Sequence, residues 1–111
     1  MAEITKETEQ KISQLQLFEQ GIQTILSQKQ QFQMQLVEIE SALGELDKTD
    51  TAYKIVGNIM VASKKEDLKS DLKSKKEIIE LRLKTLEKQE NQIKEKAEKL
   101  QSEVLKKIKN E

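Results

Sequence analysis

Tyr53-Lys54-Ile55-Val56-Gly57-Asn58-Ile59-Met60-Val61-Ala62 lies at the middle of the 111-residue chain and is the one segment that does not read as helix. Two short runs rich in Tyr, Ile and Val flank a Gly-Asn pair, the signature of a β-hairpin. Glycine at the first turn position suits a two-residue type II′ turn, because it takes positive φ there without steric cost. Such a turn sets Val56 opposite Ile59, Ile55 opposite Met60, Lys54 opposite Val61 and Tyr53 opposite Ala62. Alternation then places Tyr53, Ile55, Met60 and Ala62 on one face, and Lys54, Val56, Ile59 and Val61 on the other. Both faces are mostly apolar. A lone two-stranded ribbon is marginal in water, and this one has open edges. Since the rest of the chain offers no further strand, the hairpin is expected to pair with another chain.

Working outward, the segment from about residue 4 to 47 reads as one helix. Its apolar positions from Leu15 run Phe18, Ile22, Ile25, Lys29, Phe32, Leu36, Ile39, Leu43 and Leu46, in alternating steps of three and four with Lys29 as the single break. That is the seam of a left-handed coiled coil. Before Leu15 the spacing drifts through Ile4, Thr8 and Ile12, so this end is expected to pack more loosely. Between the seam residues glutamine is abundant, as at Gln14, Gln16, Gln20, Gln23, Gln30 and Gln33, and reads as a solvated helix face. A polar link, Asp47 to Thr51, leads into the hairpin at about residues 53–62. Beyond it, Ser63-Lys64-Lys65-Glu66 has the form of a capping box. It opens a second helix from about residue 64 to 109 with the seam Leu68, Leu72, Lys76, Ile79, Leu83, Leu86, Glu90, Ile93, Ala97, Leu100, Val104 and Lys107.

Folding the helices back at the hairpin pairs the two seams without a slip: Leu15 with Leu100, Phe18 with Ala97, Ile22 with Ile93, Ile25 with Glu90, Lys29 with Leu86, Phe32 with Leu83, Leu36 with Ile79, Ile39 with Lys76 and Leu43 with Leu72. The large Phe18 meets the small Ala97, which conserves layer volume. Lys29 and Glu90 fall in adjacent layers and are placed to meet across the seam. Such a pair adds little net stability but penalises other registers. The expected fold is therefore mainly α: one domain over 1–111, an antiparallel two-helix coiled coil with a single central β-hairpin.

Composition narrows the function. The chain is 35% hydrophobic, 3% aromatic and 36% charged, with no proline. That is thin for a globular core and usual for long exposed helices. Basic and acidic residues balance at 20 each, so net charge gives no reason to expect nucleic acid or acidic lipid as partner. No apolar run is long enough to span a membrane. The opening Met1-Ala2-Glu3-Ile4-Thr5-Lys6 has no hydrophobic core of a signal peptide, so the chain is not expected to be secreted. Histidine, cysteine and tryptophan are absent, which removes the usual proton shuttle, metal ligand and strongest nucleophile. The carboxylates lie on solvated faces, and the three glycines are isolated rather than gathered in a phosphate loop. No enzyme, metal site or cofactor is expected. Lys64, Lys65, Lys69, Lys73, Lys75 and Lys76 cluster, but Glu66, Asp67, Asp71 and Glu77 interleave with them and no aromatic side chain is there to stack on bases.

What remains is surface. Tyr53, Ile55, Val56, Ile59, Met60 and Val61 are the candidate assembly residues. Off the seams, Leu17, Val37, Ile78 and Leu81 are apolar where a two-helix pair faces water. Towards the helix ends far from the hairpin, Met1, Ile4, Ile12, Leu105 and Ile108 are apolar, and Ile4, Ile12, Leu105 and Ile108 are the candidate client-binding residues. An assembly element at one end with adaptable hydrophobes at the other suits multivalent gripping.

The whole chain resembles the beta subunits of archaeal prefoldin. The likeness is carried by Gln28-Lys29-Gln30-Gln31 with Leu36-Val37-Glu38-Ile39, by Tyr53-Lys54-Ile55-Val56-Gly57, by Ile59-Met60-Val61 and by Arg82-Leu83-Lys84-Thr85-Leu86-Glu87-Lys88-Gln89-Glu90. Alpha-type subunits of that family carry two hairpins, so the single hairpin points to the beta type. Asn58 departs from the proline that many relatives hold at this turn. The resemblance implies four beta-type and two alpha-type subunits joined through their hairpins into a β-barrel platform. It further implies a cytoplasmic, ATP-independent holdase that grips unfolded proteins at its coiled-coil tips and delivers them to a group II chaperonin. Two other readings compete. A structural coiled-coil adaptor would not need a hairpin apolar on both faces, and a helical RNA-binding arm would gather its basic residues along one face.

Overall fold

The computed structural model describes residues 4–110. In order, the elements are α1 (Lys6–Asp47), β1 (Ala52–Val56), β2 (Ile59–Ser63) and α2 (Lys65–Asn110). The strands pair antiparallel in the expected register, Val56 with Ile59, Ile55 with Met60, Lys54 with Val61 and Tyr53 with Ala62, and the ladder extends one step to Ala52 and Ser63. Gly57 sits at φ 61° while no other residue has positive φ among those described, as a turn with glycine in its first central position requires.

Contacts divide the chain into two compact units. Gln30–Lys84 holds the hairpin and the helical segments that flank it. Here Ile39, Leu46 and Ile79 are buried, and Phe32, Leu36, Leu43, Leu68, Leu72 and Leu83 are half-buried. The reflection that pairs the strands also brings together, to within one residue, Asp47 with Lys69, Glu40 with Lys76 and Phe32 with Arg82. Polar groups edge the seam: Lys69 bonds Asp47, Lys76 lies 3.6 Å from Glu40, and the Arg82 guanidinium stands 5.8 Å over the Phe32 ring. The aliphatic stems of these long side chains help cover the apolar layer.

The other unit contains the chain up to Lys29 and from Thr85 onward. Ile25, Leu86 and Val104 are its buried aliphatic residues, with Leu15, Phe18, Ile22, Ile93, Ala97 and Leu100 half-buried around them. Gly21 stands beside Ile93: a Cβ there would sit 3.7 Å from the Ile93 Cδ1. Glu90 is only 6% exposed, and its Oε1 accepts from Lys29 Nζ at 3.3 Å, the cross-seam bond the sequence anticipates.

Two details differ from the sequence reading. Ser63 does not cap α2. It closes the β-ladder opposite Ala52, and α2 starts two residues later, with the Lys64 carbonyl accepting from the Leu68 amide at 3.1 Å. Strand pairing has claimed the residue that the capping pattern assigned to the helix. The stretch before Leu15 is also not loose. Thr8 is fully buried, and Lys11 and Ile12 are half-buried, so the three-four spacing runs on through Thr8 and Lys11 rather than Ile12. Thr5 caps this end, its hydroxyl accepting from the Thr8 amide at 3.2 Å and standing 3.0 Å from the Thr8 hydroxyl. That satisfies one of the unpaired amides of the first turn and the one polar atom Thr8 would otherwise bury bare.

Candidate functional site: the apolar hairpin and the far helix ends

Six large apolar side chains of the hairpin are exposed, from Val61 at 46% to Ile55 at 70%, with Tyr53, Val56, Ile59 and Met60 between. They point to both faces of the ribbon, as period-two alternation demands. An exposed apolar surface on both sides of a short sheet, with free strand edges, is an interaction surface rather than a finished core. Ala52, which sequence reasoning left out, is instead buried at the start of β1, where it pairs with Ser63. No periodic signal marks it, since its burial follows from where the strand leaves the helical seam.

At the ends of the helices remote from the hairpin in sequence, Ile4, Leu105 and Ile108 are exposed at 44–55%. Ile12 is half-buried and is the least available of the four candidates. Met1 lies outside the described residues. Between the exposed side chains the helices are held together by charge. Glu7 accepts from Lys107 at 3.0 Å and lies 3.7 Å from Lys11, while Lys11 reaches Glu103 at 3.3 Å. The hydrogen bond from Lys107, with the charges of Lys107 and Lys11, holds the Glu7 carboxyl below its ordinary range. Leu105 and Ile108 are thus displayed on a helix bonded to its neighbour, while Ile4 precedes Lys6, the first residue of α1.

Off the seam, Leu17, Val37, Ile78 and Leu81 are exposed as expected, and so are Met34 and Leu26. The last two were missed because neither belongs to a repeating apolar pattern. No cluster of acidic, histidine or cysteine side chains among the described residues is arranged to hold a metal. No described helix is long and apolar enough to cross a membrane.

A two-helix antiparallel coiled coil with one apolar hairpin between its helices defines a class of proteins: paired helical arms joined by a single β-ribbon. Residues 9–111 match the family model for prefoldin subunits. The prefoldin subunit beta of Archaeoglobus fulgidus is 41% identical over 98 residues, covering 86% of this chain and 84% of the relative. That of Methanospirillum hungatei is 38% identical over 107 residues, covering 94% and 89%. The crystal structure of the prefoldin beta subunit from Thermococcus strain KS-1 superposes with a TM-score of 0.87 at 34% identity, over 94% of each chain. The chain belongs to the prefoldin family and is a chaperone subunit of the beta type. Membership implies assembly with other prefoldin subunits.

Proposed function

We propose that the chain, acting as one domain, is an ATP-independent holdase arm. Its hairpin enters a shared β-barrel through Tyr53, Ile55, Val56, Ile59, Met60 and Val61, in an assembly of four beta-type and two alpha-type subunits. Ile4, Leu105 and Ile108, with Ile12 behind them, grip exposed apolar segments of non-native proteins, which then pass to a group II chaperonin in the cytoplasm. Binding and release need neither cofactor nor catalytic group. The observation that carries this reading is the pairing of exposed aliphatic side chains with a firmly packed helix end: the surface is displayed, yet not consumed by the fold. Each aliphatic side chain buried against a client contributes roughly 1.5–3 kcal/mol. One arm therefore holds weakly, and several arms acting on one client hold well through effective concentration.

The test replaces Ile4, Leu105 and Ile108 by Ser in the chain assembled with alpha-type subunits. Ile12 is left alone, and the ends are not trimmed, because Thr8 and Val104 are packed. The complex should keep its mass while suppression of aggregation of a denatured protein falls sharply. Protection equal to that of the unmodified complex would place client binding elsewhere.

A further inference from the structure

The chain contains no cysteine, so its three methionines hold all of its sulfur. Met34 and Met60 lie among the described residues, and both are exposed at 65%. Met34 is on α1. Met60 is in β2, paired across the ladder with Ile55, and alternation puts it on one face with Tyr53, Ile55 and Ala62, all of them exposed. Equal exposure leaves the two thioethers equally open to attack. Only Met60 stands on the ribbon through which other subunits are reached.

We infer that Met60 is an oxidation site that ties the redox state of the subunit to its assembly. The inference rests on the reading above that the hairpin enters a shared barrel. In the reaction a hydroperoxide gives its outer oxygen to the sulfur. The S–O bond forms as the O–O bond breaks, and sulfur loses two electrons. The proton on the transferred oxygen passes to the departing oxygen, which leaves as water or an alcohol. The product is a sulfoxide, polar and chiral where the thioether was apolar and pliable. In the free chain water solvates the new oxygen. In an assembly that covers this face, the side chains of Ile55 across the ladder and Ala62 along the strand offer it no donor. A buried polar group without a partner is costly, so assembly and oxidation exclude each other. Partner subunits shield the sulfur, an oxidised subunit is held out of the complex, and reduction of the sulfoxide readmits it. Met34, off the ribbon, carries no such coupling.

The test compares two chains, Met34→Leu, which keeps Met60, and Met60→Leu, which keeps Met34. Met1 is present in both and cancels. Each is treated with hydrogen peroxide as the free chain, cleared of peroxide with catalase, and titrated against alpha-type subunits beside its own untreated sample. Oxidation should weaken assembly of the Met34→Leu chain by about tenfold and leave the Met60→Leu chain at its untreated value. Methionine sulfoxide reductases for both epimers should restore the first chain. Met60→Gln, polar and of similar length, should weaken assembly comparably with no oxidant. Peptide mass spectrometry of the unmodified chain should find Met60 oxidised several-fold more slowly in the complex than alone. Unchanged assembly of the oxidised Met34→Leu chain, equal losses in both chains, or equal Met60 oxidation rates alone and in the complex would each overturn the inference. If Ile55→Asp with Val61→Asp breaks the complex while oxidation of Met60 does not, the hairpin reading stands and this switch falls. If that charged variant keeps the complex at full mass, both fall.

Discussion

Lys29 Nζ lies 3.3 Å from Glu90 Oε1, joining residues of adjacent layers on opposite helices. Lys94 approaches the other carboxylate oxygen at 3.8 Å. Glu90 is thus a nearly buried acid with a cation on each oxygen. Replacing Lys29 alone by Leu leaves that acid short of its closest partner. The cost should be about 1–3 kcal/mol, less than the roughly 3–5 kcal/mol of a fully buried pair because Lys94 remains. Replacing both, Lys29→Leu with Glu90→Leu, should restore or exceed the original stability, since an apolar layer then replaces two desolvated charges. Thermal unfolding of the two single variants and the double variant closes the cycle, and a double variant weaker than either single would contradict the argument.

The ion pair between Asp47 and Lys69 has a pH signature. The hydrogen bond from Lys69 and then its charge hold the Asp47 carboxyl below its ordinary 3.8. The same bond holds the Lys69 ammonium above its ordinary 10.5. A lowered carboxyl contributes stability that is present above its unfolded value and lost as pH falls through the folded one. A raised ammonium contributes stability present below its unfolded value and lost as pH rises through the folded one. Asp47→Asn should therefore lower Tm most between about pH 5 and 9, with the gap closing towards about pH 2. Because both groups meet solvent, the gap should also shrink in 1 M salt, where the Debye length is about 3 Å.

Alanine at the three glycines should separate helix from turn. Gly21→Ala brings a Cβ into ordinary contact with Ile93, and Gly44→Ala meets nothing within 4 Å. Each should stabilise the chain by about 0.5–1 kcal/mol, since glycine is a poor helix former. Gly57→Ala, at φ 61°, should cost about 1–2 kcal/mol because a Cβ is strained there. Denaturant midpoints measure all three, and a stabilised Gly57→Ala would show that the turn adopts another form.

Assembly should fail when the ribbon is charged. Ile55 and Val61 lie on opposite faces of the hairpin and are both exposed in the single chain, so Ile55→Asp with Val61→Asp should leave the helices intact by circular dichroism. In an assembly that buries those faces, each unpaired carboxylate costs several kcal/mol. Sedimentation should then find the chain separated from its partner subunits. A complex of unchanged mass would move the assembly surface off the hairpin.

The helical seam from Leu15 to Leu46, its mate from Leu68 to Val104, and the register that joins them were legible because burial in a coiled coil repeats at a fixed period. Apolar residues at that period leave little choice of facing side. The hairpin register was legible because only glycine meets the turn's φ requirement, and alternation does the rest. Thr8 was placed on the drifting spacing but not marked for burial because it is polar, and Lys11 escaped because it is charged. Periodicity therefore led to Ile12 instead, although Thr8 can bury its hydroxyl against Thr5 and Lys11 can bury its stem while its ammonium reaches Glu103. Ser63 was misassigned because a cap and a strand end accept the same residue.

The order of residues alone thus determined the two helices and the turn between them, governed by short periods and local backbone preferences. The tertiary structure decided which polar residues the packing encloses, where the ladder stops at Ser63, and that Ala52 is buried while Tyr53 stays exposed. These outcomes depend on which groups meet in space. The ammonium groups of Lys11 and Lys29 are accepted into the seam because Glu103 and Glu90 of the other helix stand within reach, and no spacing within one helix records those partners.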